Sequence, residues 1–332
     1  MQVNVAELLK QAIGSETGFG STEFHVLRAV KERTISEFLY YLTISGTFRR
    51  VGAAFMQGVA GQKRLTNDFL QNFVVGLPSI EEQRNIANYL EQKTIPIDDL
   101  IAKKEQMIEL LQEERTAIIN QAVTKGLDPK TEMKESGIEW LGKIPRSWEI
   151  KKLKFVARLK SGEGINTDLI KEEDQYPVFG GNGLRGYTST FTHEGSFILI
   201  GRQGALCGNV NYANGKFWAS EHAVVVTINQ GHNVFWLGEL LRIMNLNQYS
   251  QSAAQPGLAV DNIQNFSIPV PPLKEQENIA SFLHRKLKQI DLQVDHEGKT
   301  IEFLKEYRTA LISEAVTGKI DVSTALNTGV RG

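Results

Sequence analysis

A self-match at a constant offset of 193 residues most constrains what this chain can fold into. Gln71–Phe73 recurs as Gln264–Phe266. Glu81–Leu90 (EEQRNIANYL) recurs as Lys274–Leu283 (KEQENIASFL), and Glu114–Thr124 as Tyr307–Thr317. Between Gln62–Thr124 and Gln255–Thr317, about 27 of 63 positions are identical without a gap. Convergence on a helical pattern would not hold that many identities in register, so one unit has been duplicated.

Each copy opens on prolines, LPSIEEQ at Leu77–Gln83 and VPPLKEQ at Val270–Gln276. Proline ahead of a charged run marks a helix start, because its missing N–H costs nothing there. The first copy then spaces Ile97, Ile101, Lys104, Ile108, Leu111, Arg115, Ile118 and Ala122 by alternating fours and threes. The second spaces Ile290, Val294, Glu297, Ile301, Leu304, Arg308, Leu311 and Ala315 the same way. Each is a coiled-coil seam with two polar breaks that can fix register, and matched seams in a duplicated pair are expected to pack on each other. Pro96 is expected to interrupt the first copy, leaving a short helix before a long one. From Ile97 to Thr124 the long helix would measure about 40 Å at 1.5 Å per residue.

The chain of 332 residues has room for roughly two domains. Between the helical patterns, from about Lys134 to Pro269, it turns rich in glycine, aromatics and short apolar runs. FILIG (Phe197–Gly201) and AVVVT (Ala223–Thr227) read as strands, and Val234–Met244 as a helix packed on them. This is a mixed α+β globule. Residues 1–76 share only its closing features. STEFHVL (Ser21–Leu27) resembles ASEHAVV (Ala219–Val225), and Ser36–Ser45 would be the matching helix. About 65 residues of a first globule have no counterpart. The expected layout is a partial globule (1–76), a helical spacer (77–128), a whole globule (129–269), a second spacer (270–321) and a tail (322–332). A sheet cut midway leaves unpaired edges, so residues 1–60 are expected to be poorly ordered or rearranged.

No phosphate-binding loop, metalloprotease motif, nucleophile elbow, adenine-methylase motif or compact carboxylate cluster occurs in the chain, and the six histidines lack metal-ligand spacing. One cysteine, Cys207, excludes an intramolecular disulfide framework and any cysteine-cluster zinc site, which fits a reduced, cytoplasmic chain. No apolar run is long enough to span a membrane. Two glycine-rich loops stand out, GGNGLRGY (Gly180–Tyr187) and GRQGALCG (Gly201–Gly208). Glycine lets backbone approach a ligand closely. Asn182, Arg185, Arg202 and Gln203 ride on these loops. Arginine can bond guanine bidentately, and asparagine or glutamine can bond adenine. The alternative is tight turns whose polar residues are merely solvated.

Net charge is −1, so any nucleic-acid reading rests on local features. One is the basic stretch around Lys151, Lys152, Lys154 and Arg158, a candidate for phosphate contact or simply a solvated charged strand.

These residues resemble the specificity subunit of type I restriction–modification systems. The segments carrying the likeness are Gly18–Arg28, Leu77–Leu90, Glu135–Leu153, Tyr176–Tyr187, Ile268–Leu283 and Arg308–Asp321. The resemblance implies an α+β chain with β-rich target-recognition domains, each reading half of a split DNA sequence. It implies two long antiparallel coiled-coil helices that hold the domains apart and dock modification subunits. On those helices the seam would be Ile97, Ile101, Ile108, Leu111 and Ile118 against Ile290, Val294, Ile301, Leu304 and Leu311. It also implies no active site and no cofactor in this chain. S-adenosylmethionine would sit on the modification subunits, and ATP and Mg on partner subunits of the complex, with the restriction subunit joining through it. Half-length members can act as pairs, so a homodimer reading a symmetric site is a further expectation. A spacer near 40 Å is comparable to one duplex turn, roughly 34–36 Å. The competing readings are a truncated scaffold or regulator occupying modification subunits without reading DNA, and a free-standing enzyme built on the glycine loops.

Overall fold

The computed structural model describes residues 25–57, 64–204, 206–250 and 257–322. In chain order it forms α1 (Ser36–Ile44), α2 (Gly46–Ala54), α3 (Asn67–Asn72) and the 46-residue α4 (Ile80–Lys125). Then come β1 (Met133–Glu135), β2 (Lys143–Pro145), β3 (Glu149–Lys152), β4 (Ala157–Ser161), β5 (Tyr176–Gly180) and β6 (Gly183–Thr188). They are followed by β7 (His193–Gly201), β8 (Val210–Ala219), β9 (Ala223–Ile228), α5 (Val234–Ile243) and α6 (Val260–Ile263). β10 (Ser267–Val270) and the 44-residue α7 (Leu273–Val316) complete the fold. The chain divides into two compact units, Met1–Glu109 with Val294–Gly332, and Leu110–Gln293. Each unit takes the start of one long helix and the end of the other.

The first unit packs Phe38 and Leu42 of α1 against Ile86, Ala87 and Leu90 of α4 and against Leu311, Ile312, Ala315 and Val316 of α7. Each of the larger buried side chains, alanines aside, contributes about 1.5–3 kcal/mol. Ser45 separates α1 from α2 and caps the latter, its hydroxyl accepting from Phe48 N. Phe48, Leu65 and Phe69 form a smaller cluster with Phe73.

The second unit is built on a six-stranded sheet ordered β4-β9-β7-β8-β5-β6, antiparallel except where β5 runs beside β8. Alternation along β7 serves two cores. Ile198 and Ile200 face Trp236, Leu237 and Leu240, whereas Leu199 faces Ala213, Phe217 and Val225. Gly162 N donates to Ala223 O and Glu163 N to Ala219 O, so the end of β4 reaches the end of β8 and the sheet curls on itself. Ile119, Ala122 and Val123 of α4 and Ile279 and Leu283 of α7 close this core. Five positions, 86, 90, 312, 315 and 316, and their partners at the repeat offset thus do the same work in both units.

Within the first unit, Asp98 pairs with Arg308 at 2.7 Å and Lys104 with Glu297 at 2.7 Å, so the long helices run antiparallel there. Within the second, Arg115 pairs with Asp291. That pair repeats Asp98–Arg308 through the duplication. The polar breaks of the seam therefore each find an acidic or basic partner. Ile101, Leu111, Ile290, Ile301 and Leu311 are buried, and Ile97, Ile108, Ile118, Val294 and Leu304 are half-buried.

One sequence expectation needs correction. Helix α4 runs straight through Pro96 without a break in helical assignment. Proline frees the carbonyl four residues back, but Gln92 and Pro96 are both exposed, so water can satisfy it. His25–Val30 is not a strand, although the similar segment from Ala223 is. In the second unit β9 has ladder partners on both sides, β4 and β7. Among the described residues of the first unit no strand flanks His25–Val30. Helices α1 and α2 form between Ser36 and Ala54, and α1 finds its apolar partners on α4 and α7. Residues 1–24 and 58–60, and with them Ser21–Phe24, lie outside the described residues.

Candidate nucleic-acid interface

The two glycine-rich loops lie against each other in the second unit. A Cβ on Gly201 would run into the carbonyl oxygens of Gly181 and Leu206, so only glycine lets the loops touch. A Cβ on Gly181 would stand 3.1 Å from His222 O and 3.3 Å from Gln203 O. Backbone bonds add the turn between β8 and β9: Arg202 N donates to His222 O (2.8 Å) and Ser220 N to Phe179 O (2.8 Å). Four strand ends therefore converge, those of β4, β5, β7 and β8.

Asn182 is exposed at the β5–β6 turn, with Asn209 Nδ2 3.5 Å from its Oδ1. Arg185 is exposed on β6, its aliphatic stem lying over Gly180. Gln203 is exposed, and its Oε1 accepts from His222 Nδ1 at 3.0 Å. Arg202 is half-buried, and its carbonyl accepts from Leu258 N at 2.9 Å. The amides of Asn182 and Gln203 and the guanidinium of Arg185 thus sit on one framework of touching loops.

The basic stretch is divided between strands. Lys151 and Lys152 lie on β3, which pairs with β10; Arg158 lies on β4, an edge of the large sheet. Lys151 is held by Glu149 at 2.7 Å, and that hydrogen bond keeps the Glu149 carboxyl below its usual range. Lys154 Nζ donates to Asn265 Oδ1 at 3.1 Å. Lys152 and Arg158 are exposed, with no acidic partner among the described residues. Arg158 shares the outer face of β4 with Lys160 and alternates with buried Ala157 and Leu159.

Sequence reasoning missed Asn209, Glu221 and His222. The signal for the last two was the Ala219–Val225 segment, which was read only as a repeat. His222 bonds Gln203 through one ring nitrogen and lies 3.2 Å from Glu221 Oε1 through the other. Among the described residues no group of three His, Cys, Asp or Glu could hold a metal, and no helix is long and apolar enough to cross a membrane.

The described residues thus hold two copies of one helical plan and one large loop-bearing sheet. The family model for the type I restriction modification DNA specificity domain matches residues 10–110 and 145–302, and the chain belongs to that family. Among its relatives, the type I restriction enzyme EcoprrI specificity subunit of Escherichia coli is 47% identical over 139 residues, covering 41% of this chain and 35% of that protein. The MjaIX specificity subunit of Methanocaldococcus jannaschii is 24% identical over 319 residues, 88% of this chain and 71% of that protein. A chain from a solved type I R-M system superimposes with a TM-score of 0.73 at 20% identity, covering 89% of this chain and 74% of that one. The HsdS subunit of Thermoanaerobacter tengcongensis gives 0.50 at 20% identity, covering 89% and 73%. The match to the E. coli relative thus spans about a third of that protein's length, and the solved structures share the fold.

Proposed function

We propose that this chain is the sequence-reading component of a type I restriction–modification complex. The loops carrying Asn182, Arg185, Arg202 and Gln203 read base edges, while Lys152 and Arg158, with Lys151 and Lys154 beside them, contact phosphates. Phosphate contacts set position and base contacts set sequence. The helices α4 and α7 dock modification subunits, which carry S-adenosylmethionine and methylate adenine. The restriction subunit joins through that complex, with ATP and Mg bound on partner subunits. The observation that carries this reading is the convergence of the two glycine-rich loops, which holds several amide and guanidinium groups on one rigid sheet end.

The test is adenine-methylation mapping by long-read sequencing, with the full chain and its modification subunit co-expressed in a host lacking other methylases. A split motif bearing N6-methyladenine is the expected result. A palindromic motif would assign the reading to two copies of the second unit in a homodimer. A stable complex that methylates no site would overturn the proposal.

A further inference from the structure

We infer that Phe155 packs against the deoxyribose surface of the DNA backbone, between the phosphates that its neighbouring cations hold. This rests on the DNA-reading proposal and deepens it. From Ile150 to Gly162 the chain carries five cations, Lys151, Lys152, Lys154, Arg158 and Lys160, and no acid. Phe155 stands among them with 63% of its surface exposed. Its ring cannot turn inward to recover that burial. It sits on the short turn Leu153–Phe155, and the residues on either side that do point inward, Leu153 and Val156, are fully buried. Leu153 N donates to Phe266 O (2.8 Å) and Lys154 N to Gln264 O (2.9 Å), which ties the turn to the segment ahead of β10. From the end of β9, Asn229 Nδ2 donates to Phe155 O at 3.1 Å and Asn229 N to Val156 O at 2.9 Å. The ring is therefore held outward on a turn fixed from both sides. Lys154 Nζ lies 5.6 Å from the ring centroid and is itself held by Asn265 Oδ1 at 3.1 Å.

The place of the ring selects its partner. The end of β4 reaches the converging glycine-rich loops, whereas Phe155 precedes the start of β4. The ring thus lies away from the amides that address base edges and among the cations assigned to phosphates. Each phosphate of a duplex is flanked by sugars that present C–H surface. An exposed ring with Lys152 and Lys154 before it and Arg158 after it matches that alternation of charge and apolar surface. Charge favours DNA over an apolar protein face, because covering the ring without anions would desolvate these cations unpaired. A contact of this kind adds affinity and carries no sequence information.

The experiment separates apolar from ionic contact by salt. Neutralising a phosphate releases counterions and sets the slope of log affinity against log salt, and an apolar contact releases none. Binding of the assembled complex, full chain with its modification subunit, is measured across salt concentrations on the mapped methylation site and on a scrambled duplex. Phe155→Ala should bind both duplexes at least about fivefold more weakly at every salt concentration, a modest share of what burying a phenyl ring is worth. Its slope, its methylation motif and its melting temperature should match the wild type. Phe155→Gln, long but polar, should behave like Phe155→Ala, and Phe155→Leu should stay within about twofold of the wild type. Lys154→Ala is the contrast and should lower the slope by about one. Unaltered binding in Phe155→Ala and Phe155→Gln overturns this inference alone. So does a slope that falls with the affinity, which would make the ring a support for Lys154. Loss of the modification subunit from the Phe155→Ala complex also overturns it, by assigning the ring to that protein. A wild-type complex that binds neither duplex overturns it together with the DNA-reading proposal.

Discussion

Gln83 and Gln276, 193 positions apart, clamp equivalent helices by equivalent hydrogen bonds. Gln83 Oε1 accepts from Ile35 N at the start of α1, and its Nε2 donates to Pro78 O and Arg33 O. Gln276 Oε1 accepts from Asn233 N at the start of α5, and its Nε2 donates to Pro271 O. Both side chains are almost completely buried, at 0% and 1% exposure. A buried amide with both ends satisfied is specific in a way apolar packing is not, because losing it strands donors and acceptors on the partner helix.

Gln276→Leu should therefore weaken the second unit by about 2 kcal/mol, leaving Asn233 N and Pro271 O unpaired. Hydrogen exchange would read this as protection of the α5 amides, Trp236–Leu241, falling about 30-fold. Gln83→Leu should do the same to Phe38–Leu42 of α1 and leave α5 unaffected. Equal loss in both helices from either substitution would contradict the duplicated clamp.

The same glutamine predicts a pH response. His232 Nδ1 lies 3.2 Å from Gln276 Nε2 and accepts from it. Burial, helped by the charge of Lys151, pushes the imidazole below its ordinary value. The folded state therefore prefers neutral His232. Its contribution is whole above the ordinary histidine value near 6.5 and is lost as pH falls from there through the lowered value. The urea midpoint should drop as pH falls below about 6.5, and His232→Gln should flatten that drop. An unchanged slope in the variant would assign the drop to other groups.

Gly201→Ala should separate the two glycine-rich loops. The added methyl meets two carbonyl oxygens, and such overpacking costs about 1–3 kcal/mol. Site methylation by the assembled complex should fall at least about tenfold, which corresponds to 1.4 kcal/mol. Gly164→Ala is the contrast, since nothing lies within 4 Å of a Cβ there. Its effect on melting and on methylation should be negligible.

Arg158→Ala and Lys152→Ala should each lower the salt slope of DNA binding by about one, measured on the assembled complex. Lys151→Ala should change it less, because Glu149 already neutralises that side chain. A slope untouched by Arg158→Ala would place β4 away from the phosphates.

The duplication was legible because identity is a one-dimensional signal. Ser36–Ser45 as a helix, Phe197–Gly201 and Ala223–Thr227 as strands, and Val234–Met244 as a helix all follow from local pattern, and α1, β7, β9 and α5 form there. Pro96 misled because its local penalty was weighed without the packing on either side, where Leu90 and Ile101 are buried. His25–Val30 forms no strand despite its likeness to the segment from Ala223, because a strand needs neighbours and likeness supplies none. At the site, the loop residues were visible as exposed polar types among glycines. Their partners were not. His222 reaches Gln203 through the antiparallel β7–β9 register, and Asn209 reaches Asn182 where the two loops meet, tertiary relations that no spacing in the sequence encodes.

The most direct test of the central claim is competition binding of the assembled complex, full chain with its modification subunit, to a duplex carrying the mapped methylation site. The account predicts binding at least about 10³-fold tighter than to a scrambled duplex of the same length and composition at physiological salt. Equal affinity for the two duplexes would contradict it.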